Sequence, residues 1–258
     1  MKQSFFVVVL FFIAFAISLA IYYFVFGDVA NFKDGAARRV PQNMLGTVFT
    51  GGPLVASLVT LLIMVVAVVL ERFFSLNKAA GKINTTKFFA GVLEDVRAGR
   101  IDEALEACDN QRGSVANVIR SGLTRYKELS SDKTKPFDPE KGLVEVQRAV
   151  EEAMMLESPW LEKNLIVLST IASVATMIGL LGATIGMIRS FAALGHAGTV
   201  DAISLAIGIS EALINTAGGL GVAIIGIIAY NFFVNKVDNF TYQVDQASYN
   251  IIQILKTK

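Results

Sequence analysis

Hydrophobic residues in this chain are gathered into four long runs with few or no ionisable side chains. The runs cover residues 5–26, 53–70, 165–191 and 202–234. About 20 apolar residues in a helix cross a hydrocarbon core roughly 30 Å thick, so three of the runs are long enough by themselves. The second run reaches that length with its flanks, Gly51-Gly52 and Phe73-Phe74. The pattern predicts an all-α membrane protein with four transmembrane helices.

The first run has a second interpretation, as a cleaved signal peptide. Ser18-Leu19-Ala20 resembles a cleavage site that follows an apolar stretch. Against cleavage, only Lys2 marks a basic region before the run, and apolar sequence continues through residue 26. These flanks favour a retained transmembrane helix. Because the run has no polar stripe, we expect it at the periphery of the protein, facing lipid.

Basic residues indicate the orientation of the helices. Most Lys and Arg residues lie in the polar segment 72–163, whereas the link between the third and fourth runs has none. Cytoplasmic loops of membrane proteins are enriched in basic residues, so this segment and both termini are predicted to be cytoplasmic. Lys33, Arg38 and Arg39, in the first external loop, count against this orientation.

Helical spacing continues outside the apolar runs. Four groups of mainly apolar residues recur every three or four positions: Ile101, Ala104, Leu105 and Cys108; Val115, Val118, Ile119, Gly122 and Tyr126; Leu143, Val146, Val150 and Met154; and Phe240, Val244, Ala247 and Ile251. Gly99 and Gly113 are expected breaks, and Pro159 is the only interruption expected before the third run. The third and fourth transmembrane helices are therefore predicted to be long and to extend into a helical cytoplasmic domain.

Composition excludes several classes of protein. Hydrophobic residues make up 53% of the chain and charged residues 17%, which is too apolar for an ordinary soluble protein. The net charge of +1 gives no indication of a nucleic-acid partner. With Cys108 as the only cysteine and His196 as the only histidine, we expect no internal disulfide and no metal site. We also predict no cofactor and no enzyme activity, and we interpret His196 as a loop residue of an external turn.

Glu211 is the charged residue within the fourth run, roughly 13–15 Å below its external end. A charge at the bilayer centre costs about 2.5–3.5 kcal/mol on insertion scales, so it normally faces protein or water. The residues on its side of the helix form a mostly small and polar stripe: Ser204, Gly208, Glu211, Asn215, Gly219, Val222 and Gly226. We predict that this stripe faces other protein or a pore rather than lipid.

The third run has a comparable face: Ser169, Ser173, Thr176, Gly179 and Ala183. Within it, Gly182 and Gly186 form a small-xxx-small motif, which is usually a helix-packing device. Thr184 is expected at about the depth of Glu211, so the third and fourth runs form a hairpin whose polar atoms can meet. Arg189, near the external end, is interpreted as extending to the membrane interface.

The hairpin sequences resemble a known family. Residues 179–191, GLLGATIGMIRSF, and residues 209–224, ISEALINTAGGLGVAI, followed by Ala229-Tyr230-Asn231, are similar to the two signature helices of the MotA/TolQ/ExbB proton-channel family. The similarity is greatest to ExbB and extends more loosely over residues 104–108 and 113–123. The resemblance implies a homopentamer around a smaller, single-span ExbD/TolR-like partner whose aspartate carries the proton.

The resemblance also implies roles for individual residues. Glu211 and Thr216 match pore-lining positions, and Asn215 and Thr184 complete the predicted proton pathway; Gly182, Gly186, Gly208 and Gly219 are assigned to helix packing. The family's threonine after Gly182 is Ala183 here, and moving a side chain by one position turns it by about 100°. Thr184 therefore reaches the pore only if the helix is rotated. The first run is a second departure, since the usual family member has three transmembrane helices.

The chain is therefore predicted to consist of six segments: an extra N-terminal transmembrane helix, 1–27; a periplasmic segment, 28–52; a transmembrane helix, 53–74; a helical cytoplasmic region, 75–163; the proton-channel hairpin, 164–234; and a cytoplasmic helical tail, 235–258. The predicted function is that of an inner-membrane motor subunit that uses the proton motive force, through a TonB-like protein, for outer-membrane transport. A TolQ-like envelope role, a motility stator and a non-conducting membrane scaffold remain alternatives.

Overall fold

The computed structural model describes residues 2–131, 139–195 and 202–256. Within these ranges the chain forms nine α-helices: α1 Lys2–Ala20, α2 Met44–Phe49, α3 Leu54–Ala80, α4 Thr85–Ala98, α5 Ile101–Gln111, α6 Ser114–Ser131, α7 Pro139–Leu161, α8 Leu165–Gly195 and α9 Ala202–Lys256. Phe32 and Pro41 form an isolated β-bridge, and the described residues contain no longer strand. The prediction of an all-α fold is confirmed.

Four stretches of helix are long and apolar enough to cross a membrane. They are Val7–Phe26, Leu54–Ala98, Lys141–Leu194 and Ala202–Lys256. Each overlaps one of the apolar runs, so the prediction of four transmembrane helices is confirmed. Two short 3₁₀ turns, Val29–Asn31 and Gly35–Ala37, lie with α2 between the first and second stretches.

The chain separates into two compact units. Unit 1 consists of Met1–Leu70 and Asn164–Asn231, and unit 2 consists of Glu71–Lys163 and Phe232–Lys258. Helices α3 and α9 each contribute residues to both units. Most of the apolar runs therefore belong to unit 1, whereas the polar helices α4 to α7 belong to unit 2.

Unit 2 has the core that the helical spacing predicts. Its buried residues include Ala104, Cys108, Val115, Val118, Ile119, Gly122, Leu143, Val146, Val150, Phe240, Val244, Ala247 and Ile251. Gly99 follows α4 with a φ of +80°, and Gly113 precedes α6 with a φ of +97°. Glycine adopts this left-handed backbone without a steric penalty. The two predicted breaks between helices are therefore confirmed.

The interruption before the third apolar run lies later than predicted. Pro159 is inside α7, which continues to Leu161. The helical run is interrupted at residues 162–164, where Asn164 adopts a φ of +60°, a left-handed conformation that asparagine tolerates better than most residues. The expectation of an interruption at Pro159 was wrong. Pro159 lacks the N–H that would bond to the Met155 carbonyl oxygen, yet the helix continues for two more residues.

Helix α1 is attached to unit 1 along one narrow face. Ala14, Ser18 and Tyr22 are buried at four-residue spacing, and the Ser18 hydroxyl donates a hydrogen bond to the Ala56 carbonyl oxygen of α3. The Tyr22 ring stacks on Phe49 with the ring centroids 4.7 Å apart. Most other side chains of α1 are exposed, as expected of a peripheral helix. The first apolar run thus contributes two polar side chains, Ser18 and Tyr22, to this contact, which its sequence pattern does not indicate.

Candidate functional site

Helices α8 and α9 approach each other so closely that several positions have no room for a side chain. A Cβ atom at Gly186 would lie 2.6 Å from the Ala212 backbone nitrogen and 2.7 Å from the Gly208 carbonyl oxygen. A Cβ atom at Gly219 would lie 2.6 Å from the Ala175 carbonyl oxygen. These are backbone contacts that cannot move aside, so small residues are required where the helices touch.

The other two predicted packing glycines lie on the same contact. A Cβ atom at Gly182 would collide with the Asn215 side chain, and one at Gly208 would collide with the Ser190 hydroxyl. The stripe on α9 therefore faces α8 of the same chain, and Glu211, Asn215, Gly219 and Val222 are all buried. The prediction that this stripe faces protein rather than lipid is confirmed for the residues from Gly208 onwards.

Glu211 is paired with Arg189 across this contact. The side chain of Glu211 is 4% exposed, and its two carboxylate oxygens accept from Arg189 Nη1 at 2.6 and 2.7 Å. Arg189 is 55% exposed. Arg189, interpreted from the sequence as extending to the membrane interface, thus also forms an ion pair with Glu211. Burying a carboxylate with no counter-charge costs much free energy, and the Arg189 guanidinium supplies the positive charge that offsets this cost for Glu211.

The turn between α2 and α3 closes the site from a third side. Asn215 Nδ2 donates to the Gly51 carbonyl oxygen at 2.6 Å and to the Glu211 carbonyl oxygen of its own helix at 2.9 Å. Gly52 has a φ of +77°, and a Cβ atom there would lie 2.6 Å from Glu211 Oε1. The turn therefore lies directly against the carboxylate and leaves no space beside it.

The two threonines of the predicted proton pathway lie outside this cluster. Thr216 is half-buried and donates to the Ala212 carbonyl oxygen at 2.9 Å. Thr184 is exposed and donates to the Leu181 carbonyl oxygen at 2.8 Å. Both hydroxyls bond to their own helix, so the described part of the chain brings Asn215 beside Glu211 and brings neither threonine into contact with its carboxylate. His196 and the external turn around it lie outside the described residues.

Sequence reasoning missed Arg189 and the Gly51-Gly52 turn as parts of the site. Signals for both were present: Arg189 is an ionisable residue in a helix that is otherwise apolar, and the glycine pair stands immediately before Pro53. Neither signal identifies Glu211 as the residue that Arg189 or the glycine pair contacts, because these contacts depend on how α8 and α9 are rotated relative to each other. Among the described residues there is also no group of three His, Cys, Asp or Glu side chains that could hold a metal ion.

The fold and the site together define a class: a multi-pass helical membrane protein in which a buried carboxylate is paired with an arginine across a hairpin of two spanning helices. A family model described as the MotA/TolQ/ExbB proton channel family matches residues 110–246, which is more than half of the chain. The chain belongs to the MotA/TolQ/ExbB proton channel family, and the resemblance of the hairpin sequences is confirmed.

Individual relatives come from both the ExbB and the TolQ groups. The biopolymer transport protein ExbB of Aquifex aeolicus is 34% identical over 120 residues, 46% of this chain and 72% of that protein. The Tol-Pal system protein TolQ of Haemophilus influenzae is 33% identical over 168 residues, 64% and 71% of the two chains. An ExbB homolog of Methanothermobacter thermautotrophicus is 31% identical over 171 residues, which are 66% of this chain but only 55% of that protein.

Proposed function

We propose that this chain is the channel-forming subunit of a proton-driven motor in a bacterial inner membrane. It would work with a single-span ExbD-like partner to energise TonB-dependent transport across the outer membrane. The observation that carries the proposal is the buried Glu211 carboxylate, paired with Arg189 between α8 and α9 in the region that the family model matches. Ionisable residues inside membrane spans are costly and normally mark ion or proton pathways.

The described residues do not by themselves hold a complete proton relay. The apolar part of α8 contains no Asp, Glu, Lys or His, and that of α9 contains Glu211 alone. Because Glu211 is enclosed and paired, a second carboxylate from a partner helix would have to carry the proton. Glu211 and Asn215 would shape the path from inside the hairpin. Thr216, which is half-buried, and Thr184, which is exposed, would meet neighbouring subunits of a homopentamer or the partner.

In this proposal unit 2 and both termini lie in the cytoplasm, and residues 28–52 lie in the periplasm, as the basic residues indicate. The energy source is the membrane potential, worth about 2.3 kcal/mol per proton per 100 mV. Proton passage would move the partner relative to the ring of subunits, and a TonB-like protein would transmit that movement to outer-membrane transporters.

Proton flux tests the proposal. The chain and its copurified single-span partner are reconstituted in liposomes, and internal acidification is followed with a pH-sensitive dye after a potential is imposed. We expect flux with the native pair and none with Glu211→Gln or Glu211→Ala. Glu94→Gln, which neutralises an exposed carboxylate of α4, serves as the control and should leave the flux unchanged.

The outcomes separate the alternatives. Native flux in both Glu211 variants would remove Glu211 from the mechanism. If the assembled native pair conducts no protons at all, the chain is a membrane scaffold and the motor proposal is wrong. A TolQ-like role is favoured by the relative from Haemophilus influenzae. Deletion of the gene distinguishes the two: loss of energised uptake supports the ExbB-like role, whereas envelope leakage and defective constriction support the TolQ-like role.

A further inference from the structure

The contact between Arg189 and Glu211 uses only part of the guanidinium. Both carboxylate oxygens accept from a single nitrogen, Nη1. A guanidinium has five N–H donors, and those on Nε and Nη2 have no hydrogen-bond partner among the described residues. The side chain is 55% exposed, against 4% for Glu211. Arg189 therefore presents unused donors to the outside of the chain, while Glu211 is sealed behind it.

Among the described residues, two further sides of the Glu211 carboxylate are closed. The Gly51-Gly52 turn lies against one side of the carboxylate, since even a methyl group at Gly52 would come within 2.6 Å of Oε1. The helix contact with α8 closes the side on which Asn215 is buried. A group that approaches from the exposed side would therefore contact Arg189 and would not contact Glu211 directly.

The surface around Arg189 is apolar. The residues three and four positions from Arg189 along the helix have no polar side chains: they are Ile185, Gly186, Ala192 and Ala193. Ile188, beside Arg189, is 67% exposed. Arg189 lies six residues before the end of α8 at Gly195, which is roughly 9 Å along the helix. Unused guanidinium donors on such a surface are costly unless an anion or another polar group meets them.

We propose that the outward half of the Arg189 guanidinium binds a side-chain carboxylate on a membrane segment of another chain. The chemistry fits, because a guanidinium holds two donors in a plane that matches the two oxygens of a carboxylate. A phospholipid phosphate has the same oxygen chemistry, but headgroups lie at the membrane surface, whereas Arg189 lies within the apolar stretch of α8. The inference rests on the proposed function only in taking the other chain to be the single-span partner.

The inference gives Arg189 two contacts with different purposes. Nη1 neutralises Glu211 and holds it in place, whereas Nε and Nη2 dock the partner's carboxylate. Arg189 would thus bring the partner's carboxylate near Glu211 without direct contact between the two negative groups. Removing Glu211 would leave the docking contact, and removing Arg189 would abolish it.

The affinity of the chain for the single-span subunit tests whether Arg189 binds that subunit's carboxylate. The chain is placed in nanodiscs, and its binding to the single-span subunit that copurifies with it is compared for Glu211→Gln and for the double variant Arg189→Gln/Glu211→Gln. The pair of variants avoids Arg189→Gln alone, which would leave Glu211 buried without a counter-charge and could prevent folding. We expect the double variant to bind at least about tenfold more weakly than Glu211→Gln, which is typical for the loss of a hydrogen bond to a charged group.

Changes in the partner identify the group that docks. Each Asp or Glu in its membrane span is replaced by Asn or Gln, and we expect one replacement to weaken binding to Glu211→Gln but to have no further effect on the double variant. Arg189→Lys/Glu211→Gln, which keeps the positive charge, should recover part of the affinity. Retained phosphatidylglycerol is measured by native mass spectrometry in the same variants.

Two results would overturn the inference. One is equal partner affinity for Glu211→Gln and the double variant. The other is a difference between these variants in retained phosphatidylglycerol alone, which would assign the site to lipid phosphate. Absence of proton flux in the native pair, with Arg189-dependent binding intact, would reject the proposed function and leave the docking contact standing.

Discussion

Replacing Gly52 with alanine tests whether the turn between α2 and α3 encloses the ion pair as closely as the structure indicates. Two costs are expected. The backbone φ of +77° is left-handed, which costs a non-glycine residue about 1–2 kcal/mol. The new methyl group would also lie 2.6 Å from Glu211 Oε1, and an ordinary contact begins near 3.4 Å. The carboxylate would have to retreat by about 0.8 Å, since dense packing leaves little other room.

That retreat would stretch both contacts between Glu211 and Arg189, which are now 2.6 and 2.7 Å long. Hydrogen bonds to charged groups contribute about 1.5–3 kcal/mol each, and we expect about one such bond to be lost. Added to the backbone cost, the free energy of unfolding should fall by about 2.5–5 kcal/mol. Denaturant titration in detergent micelles, followed by circular dichroism, measures this change.

Gly35 provides the matched control. Its φ is +58°, also left-handed, but nothing lies within 4 Å of a Cβ atom there. Gly35→Ala should therefore carry only the backbone cost of about 1–2 kcal/mol. A second control adds Gly52→Ala to Glu211→Ala, which lacks the carboxylate, and there too only the backbone cost should remain. The reasoning is refuted if Gly52→Ala costs no more than Gly35→Ala, or if it costs the same with and without the Glu211 carboxylate.

Two further predictions concern other parts of the chain. Gly186→Ala should destabilise the α8–α9 hairpin by about 1–3 kcal/mol, the usual cost of overpacking, because its Cβ would lie 2.6 Å from a backbone nitrogen. Gly221→Ala is the control, because nothing lies within 4 Å of a Cβ atom there, and it should not destabilise the hairpin in the same denaturant titration. Equal effects of the two changes would contradict the close contact. Burial, followed by the nearby Asp109 carboxylate, raises the pKa of the Cys108 thiol to about 12. A disulfide reagent at pH 8 should therefore modify this cysteine only after the protein unfolds. Rapid modification of the folded protein would show that the Cys108 thiol is accessible to solvent.

Much of the fold could be predicted because it depends on local pattern. The four apolar runs indicate spanning helices through their length alone, and the core of unit 2 follows from helical spacing at residues such as Cys108 and Val244. The end of α7 could not be located in this way. Pro159 is the strongest local signal for a break, yet the helix continues through it to Leu161, and the left-handed residue is Asn164. Local preferences are weak, and surrounding structure decides between neighbouring positions.

The candidate site, too, was predictable from the sequence only in part. Glu211 and the small-residue stripe were identifiable because spacing along one helix determines which residues share a face. The glycine positions Gly182, Gly186, Gly208 and Gly219 were identifiable for the same reason. The residues that these glycines and Glu211 contact could not be identified from the sequence, because the rotation of α8 against α9 is set by packing along the whole interface. Thr184, predicted from its depth, proved to be exposed, and the side chain that meets Glu211 at that contact is Arg189.

Local sequence pattern was thus enough to indicate four helices that can cross a membrane, one carboxylate within the last of them, and the family that the hairpin resembles. The tertiary structure alone decided that Arg189 neutralises this carboxylate and that the Gly51-Gly52 turn closes over it. The physical reason is that both contacts join residues distant in sequence. Gly52 and Glu211 meet only after α3, α8 and α9 have packed together, and no periodicity along a single helix encodes that meeting.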